Sequence, residues 1–434
     1  MTSADSENTR RTAYLARTTR AWPKNEETLR ELLSERAELA KLLGYPNFAA
    51  VALADKMVGT PERAQAFIDE VNTAATPGAN RDYAELLARW RKIDPAATRI
   101  DRWNGDYVAH LLRKERYDVD DQAVRRYFTY EKVRAGIFRL VHDLFGSDIR
   151  PWKTPVWDPS VTAWGLYDGK TLIGRFYIDP HPRPGKYNFA SEFPIRSGVE
   201  GRAIPLGSLE LNFPASGAMD HDDASIFLHE FGHLLHTMYS GHHRWASSSM
   251  DNLERDFIEA PSQFLEEWVW DYGTLSTFAS DTKGQVIPRD LVAKMNRARS
   301  FQQGINAKSQ LSLSATSLDF YTNEPATMNF DGTMQRAQER YSVYPYEQRS
   351  HFWAAFDHLN NYTASYYTYV WSKAIALDLF KRFQSAGLRD RKTALDYRRY
   401  VLEPGASVPA EQLITGFLHR PLSVAAYKAR VSGQ

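Results

Sequence analysis

The sequence predicts a mainly α-helical protein with one small β-sheet inserted near residues 155–213. Two observations carry this. Apolar residues recur at helical spacing through most of the first 150 residues and again from Asp223 onward. Between those stretches, Pro151–Phe213 is rich in Pro, Gly and β-forming residues, and Asp168-Gly169 separates two strand-like runs. At 434 residues the chain is long enough to bury a large core. It reads as one region, 1–434, in three parts: helical 1–150, a small sheet in 151–215, and helical 216–434.

Taken in order, Asn25 is placed to cap a helix whose apolar stripe is Leu29, Leu32, Leu33, Ala37, Ala40 and Leu43, stopped by Gly44 and Pro46. Thr60-Pro61 reads as a cap followed by proline at the first helical position, opening a helix over Glu62–Asn72. Pro77-Gly78 signals a turn, with helices resuming over Tyr83–Ile93 and Asp121–Phe145. Thr162–Tyr167 and Lys170–Ile178 flank the Asp168-Gly169 turn as a hairpin. Leu206–Phe213 reads as a further strand, ended by Pro214, and is placed at a sheet edge where an extended peptide could pair with it. Further helices are expected over Phe257–Tyr272, Pro288–Phe320, Ala364–Ser385 and Pro409–Leu418.

Composition excludes several classes. Hydrophobic residues at 43% and charged residues at 25% are an ordinary globular balance. The formal net charge of +1 gives no footing for a nucleic-acid partner. No apolar run reaches the length of a membrane span, and Met1–Arg20 lacks the apolar core of a signal peptide. The absence of cysteine removes disulfides and thiolate ligands, and fits a cytoplasmic location.

The chemistry concentrates in Phe227–His236, which contains His229-Glu230-Phe231-Gly232-His233. Residues four apart share one helix face, so His229 and His233 can aim imidazole nitrogens at one ion. Glu230 stands beside the first, where a carboxylate can take a proton from a water. That is the layout of a zinc peptidase. Asp222 or Asp223 is placed to cap this helix, with Ile226, Phe227, Leu234, Leu235 and Met238 on its buried side.

Two histidines do not complete the site, because a catalytic zinc usually takes three protein ligands and a water. One subclass supplies a third His further along the same segment. Tyr239 occupies that position here, and His236 stands where its glycine would be. The alternative is a Glu from a following helix, and spacing leaves Glu254, Glu259, Glu266 and Glu267 all open. Asp256, three residues before Glu259, would share its helix face, either holding the second nitrogen of a ligating His or pairing with Arg255. His236, His242 and His243 read as structural. Tyr362, Tyr366 and Tyr369 would form one stripe on a helix, which by periodicity alone is an aromatic core stripe.

These segments together resemble the thimet oligopeptidase, neurolysin and dipeptidyl carboxypeptidase family of zinc metallopeptidases. The resemblance is carried by His229–His233, Glu254–Gln263 and Glu266–Trp270. It extends to Arg36–Tyr45, Gly174–Asp179, Leu211–Pro214, Tyr362–Ser372 and Phe417–Pro421. It implies a large helical zincin-like catalytic domain and one Zn2+ per chain, held by His229, His233 and Glu259. It further implies Glu230 as general base and Tyr369 as the main oxyanion donor, assisted by Tyr366 and His358, with Tyr362 on the substrate. Peptides are the implied substrates.

The sequence departs from the family's pattern at one loop. Asp357 stands where glycine is usual, and Asn360-Asn361 replaces a glycine-rich stretch before Tyr362. Asn tolerates positive φ, so the turn is expected to survive, stiffened. The resemblance begins near Arg11, so the expectation is an N-terminally short member whose channel wall needs a missing segment or a partner chain. Its function is expected to be short-peptide hydrolysis. The alternatives are dipeptidyl carboxypeptidase action, or zinc and peptide binding with little turnover in the absence of a partner segment.

Overall fold

The computed structural model describes residues 4–433, so Met1–Ser3 of the polar N-terminal stretch and Gln434 lie outside the described residues. In chain order the first helices are α1 (Glu7–Thr18), α2 (Asn25–Leu42), α3 (Phe48–Leu53), α4 (Pro61–Trp90), α5 (Arg102–Tyr117), α6 (Asp121–Arg125) and α7 (Tyr130–Phe145). Five strands follow: β1 (Ser147–Pro151), β2 (Thr162–Asp168), β3 (Thr171–Asp179), β4 (Ser191–Arg196) and β5 (Leu206–Glu210). Then come α8 (His221–Ser240), α9 (Arg255–Leu265), α10 (Tyr272–Leu275), α11 (Arg289–Arg299), α12 (Gln303–Thr322), α13 (Phe330–Tyr341) and α14 (His358–Asn361). The chain closes with α15 (Thr368–Ala386), α16 (Arg391–Tyr397), α17 (Ala410–Leu418) and α18 (Ala425–Ser432). No helix of the described residues is long and apolar enough to cross a membrane.

The chain divides into two compact units. Among the described residues, the first holds 4–118, 297–371 and 427–433. Its core gathers Ala79, Leu86, Trp90, Ile100, Val108, Phe301 and Ile305. Thr60 caps α4 through its side chain and Pro61 opens the helix, as the sequence predicts. The turn expected at Pro77-Gly78 is absent, because α4 runs through it. Close packing overrides the local signal: a side-chain carbon at Gly78 would lie 2.7 Å from the Val431 carbonyl oxygen, so only an unbroken helix without a side chain fits there. Asn25 does not cap α2; it is the first helical residue, and its side-chain amide donates to the Ala354 carbonyl at 2.9 Å. The long helix expected over Pro288–Phe320 is broken between α11 and α12, where Gln302 has φ 66°.

The second unit holds residues 119–296 and 372–426 and contains the sheet. Strand order is β1-β2-β3-β5-β4. The hairpin forms as expected, β2 pairing antiparallel with β3 and Gly169 at its tip with φ 59°. The Leu206–Phe213 strand forms as β5 over Leu206–Glu210, but it is not an edge. It lies parallel to β3 on one side and antiparallel to β4 on the other. The chain leaves β3, lays down β4 first, and returns between the two. The sheet's edges therefore belong to β1 and to β4, and the sequence does not announce β4.

Helix α8 starts one residue before the first expected cap. Asp220 is its N-cap, and the Asp223 carboxylate accepts from the Asp220 backbone N–H at 3.0 Å. Phe227, Leu234, Leu235 and Met238 are buried, whereas Ile226 is 39% exposed. Helix α9 passes so close that a side-chain carbon at Gly232 would lie 2.6 Å from Ser262 Cα. That approach sets His233 of α8 opposite Glu259 of α9. A Gly232→Ala protein is expected to lose about 1–3 kcal/mol of stability, read as a lower urea midpoint.

Candidate metal centre

Helix α8 presents His229 and His233 one turn apart, with rings 5.0 Å between centroids. The Glu259 carboxylate reaches both: its Oε2 is 3.2 Å from His229 Nε2 and 3.4 Å from His233 Nε2. One ligand atom from each of the three falls within 4.8 Å of the others. Two imidazole nitrogens and one carboxylate oxygen form the donor set of a catalytic zinc, leaving a position for water. The residues fit the ion.

The competing acids are placed elsewhere. Glu254 accepts the backbone N–H of Ala410, at the start of α17. Glu267 pairs with Lys373 at 3.2 Å. Glu266 takes the role contemplated for Asp256: its Oε1 is 2.7 Å from His229 Nδ1, and its Oε2 is 3.0 Å from Lys373 Nζ. A carboxylate on the far nitrogen fixes the ring's tautomer and leaves Nε2 for the ion. Asp256 is fully buried, and its carbonyl accepts from Ser372 Oγ at 2.7 Å.

The electrostatics are strong because the cluster is largely buried. Burial would push His229 down, but hydrogen bonds to Glu259 and Glu266 raise it to about 10. Burial likewise favours neutral Glu259, but His229 and His233 hold its carboxyl well below the usual range. Glu266 is also held low, against burial, by Lys373 and His229. In the metal-free protein this is a charged, paired cluster, and a divalent cation would replace its proton.

Glu230 is 8% exposed and is not among the three converging ligands. Its Oε2 accepts the backbone N–H of Glu192 in β4 at 2.9 Å. The remaining histidines behave as structural residues. His242 Nε2 bonds the Met238 carbonyl and His243 Nε2 the Glu403 carbonyl. His236 is fully buried with neither ring nitrogen bonded, and burial pushes it down to about 3, so it is neutral.

The phenols form a separate cluster in the first unit. The expected single helical stripe does not form: Tyr362 ends α14, and α15 begins only at Thr368. A turn with Thr363 at φ 54° brings the rings together instead. Tyr362 stacks on Tyr369 at 5.2 Å, Tyr366 lies 5.3 Å from Tyr369, and His358 lies 4.9 Å from Tyr366. Positive φ thus falls on Thr363, while Asn360 and Asn361 are helical. His358 Nδ1 is 3.1 Å from Asp357 Oδ1, and its Nε2 is 3.4 Å from the Tyr369 hydroxyl. Burial pushes the Tyr366 hydroxyl up to about 12, so it stays a donor at neutral pH.

Sequence reasoning named Glu266 only as a rival ligand. Its spacing held a further signal, since it lies seven residues, about two helical turns, after Glu259. Glu192 and Thr237, which meet beside Glu230, had no such signal, because one sits on an irregular strand far away in the chain.

The family model described as peptidase family M3 matches residues 1–432. Oligopeptidase A of Escherichia coli (strain K12) is 29% identical over 447 residues, 97% of this chain and 65% of that protein. Dipeptidyl carboxypeptidase of the same organism is 29% identical over 428 residues, 93% of this chain and 62% of that one. The chain thus spans about two-thirds or less of the length of these curated relatives. A solved structure of PZ peptidase A with inhibitor 2 superposes with a TM-score of 0.61 at 16% identity, over 98% of this chain and 68% of that chain. That likeness is one of fold.

Proposed function

The chain belongs to peptidase family M3, and on that premise we propose that it is a zinc-dependent oligopeptidase that hydrolyses short peptides. The observation carrying the proposal is the convergence of His229, His233 and Glu259 within 4.8 Å, with Glu230 on the same helix. His229, His233 and Glu259 would hold one zinc per chain. When bound, the ion supplies Lewis acidity, polarising a carbonyl and bringing the pKa of a water to about 7.

The chain's own residues do the rest. Glu230 takes the water's proton and passes it to the leaving amine. Glu266 and Lys373 hold His229 in its ligating orientation. Tyr369 and Tyr366 donate O–H hydrogen bonds to the developing oxyanion, His358 assists through Tyr369, and Tyr362 contacts the substrate. The family resemblance carries these last four assignments. A cytoplasmic location belongs to the same reading, supported by the lack of cysteine.

A quenched fluorescent peptide series tests it. Peptides of about eight residues should be cleaved, chelator should abolish cleavage and zinc restore it, and an unfolded protein should be spared. Equal cleavage of the unfolded protein would sink the oligopeptidase reading, and chelator-resistant cleavage would sink the metal. Zinc uptake with no turnover would select the binding homologue instead. Tyr369→Phe should lower kcat about 100- to 1000-fold. The dipeptidyl carboxypeptidase relative gives the second reading its weight, being as similar as oligopeptidase A at 29% identity. Product masses from one peptide separate the two, since a peptidyl-dipeptidase releases only C-terminal dipeptides.

A further inference from the structure

Glu192 is a buried carboxyl that the proposed chemistry does not use, yet it is one hydrogen bond from Glu230. It lies in β4 opposite Leu209 of β5 and is 9% exposed. Two contacts tie it to α8. Its backbone N–H donates to Glu230 Oε2 at 2.9 Å, and its own Oε1 accepts from Thr237 Oγ1 at 3.1 Å. Glu230 and Thr237 are seven residues apart, two turns along one face of the helix. A single residue of the edge strand therefore grips α8 at two levels. Gly207 of β5 leaves the room, since a side-chain carbon there would lie 2.9 Å from Glu192 Oε1.

We propose that Glu192 is a positioning residue whose backbone and carboxyl latch β4 onto α8 and so aim Glu230 for proton transfer. The inference rests on the peptidase reading. Burial pushes the Glu192 carboxyl up to about 8; Thr237 opposes the shift, and the nearby carboxylates Asp251 and Glu230 add to it. The charged groups bearing on it are thus both acids, Glu230 from α8 and Asp251 from the short turn Met250–Asn252. Protonated, Glu192 closes the latch at no electrostatic cost. Ionised, it adds a buried negative charge facing Glu230 and Asp251, which loosens β4 from α8.

The test compares zinc-loaded wild type with Glu192→Ala and Glu192→Gln across pH. Alanine removes the acceptor for Thr237, whereas glutamine keeps it and cannot ionise. Glu192→Ala should lower kcat about tenfold or more with KM little changed. Glu192→Gln should recover most of that loss and lack the fall in kcat expected of wild type near pH 8. Thermal unfolding of the metal-free proteins gives a second readout. The folded carboxyl keeps its proton up to about 8, whereas an ordinary one releases it near 4.5. Wild-type stability should therefore carry a component that falls as pH rises through that window, and Glu192→Gln should lack it. The latch is overturned if Glu192→Ala matches wild type. It is equally overturned if Glu192→Gln loses as much as Glu192→Ala and keeps the wild-type pH profile. An inactive wild type is a different result, and it removes the peptidase reading itself.

Discussion

A Glu230→Gln protein loaded with zinc is expected to lose about 10²- to 10⁴-fold in kcat while keeping its metal. The side chain stands apart from the three ligand atoms, so its replacement leaves the donor set intact. Glutamine nearly matches glutamate in shape, and its amide oxygen can still accept the Glu192 N–H that now reaches Glu230 Oε2 at 2.9 Å. Only the capacity to take a proton is removed. Zinc stoichiometry measured on the same sample as the kinetics separates lost chemistry from lost metal. Normal hydrolysis by a fully loaded Glu230→Gln protein would overturn the general-base assignment.

Glu259→Ala is expected to have the second large effect, abolishing stoichiometric zinc after dialysis and reducing hydrolysis to background. Two imidazoles remain, but the charge that balances a dication is gone. The same cluster should make zinc uptake strongly pH-dependent. In the metal-free protein His229 keeps its proton up to about 10, well above its usual 6.5. The stability from that raised value is complete below 6.5 and is lost as pH rises through about 10. Glu259 is shifted the opposite way, so its share is present above 4.5 and lost on acidification. The paired cluster thus stabilises the metal-free fold most between those limits. Zinc must displace the His229 proton, so each ion bound near neutral pH should release about one proton, and affinity should climb about tenfold per pH unit. Calorimetry in buffers of different ionisation enthalpy reads the proton count. A pH-independent affinity would mean that His229 is neutral before the metal arrives.

Much of this site was legible because local rules wrote it. His229, Glu230 and His233 sit within one helical turn, where spacing alone fixes their shared face, and the Asp168-Gly169 hairpin is set by its turn chemistry. Glu259 needed the family resemblance, because four acids had compatible spacing and only the packing of α9 on Gly232 selects among them. The failures share a cause. Pro77 reads as a break until the close contact at Gly78 is known. Strand β4 is short, contains Pro194 and does not alternate, so nothing marked it as the edge, and β5 took that role by default. The phenols converge through a turn at Thr363, a residue whose positive φ no propensity would suggest. Long-range packing decided each case, and a single sequence does not display it.

The edge position of β4 has a consequence for the protein at high concentration. An unpaired strand invites a second copy to extend the sheet, and chains stacked that way grow into aggregates. Here the backbone N–H of Glu192 is already occupied by Glu230. Pro194, two residues on and facing the same side, has no N–H to offer. The ladder is irregular between Pro194 and Arg196. A neighbouring molecule would find this border poor in free donors and uneven in register, so the same short strand guards the sheet against indefinite self-association.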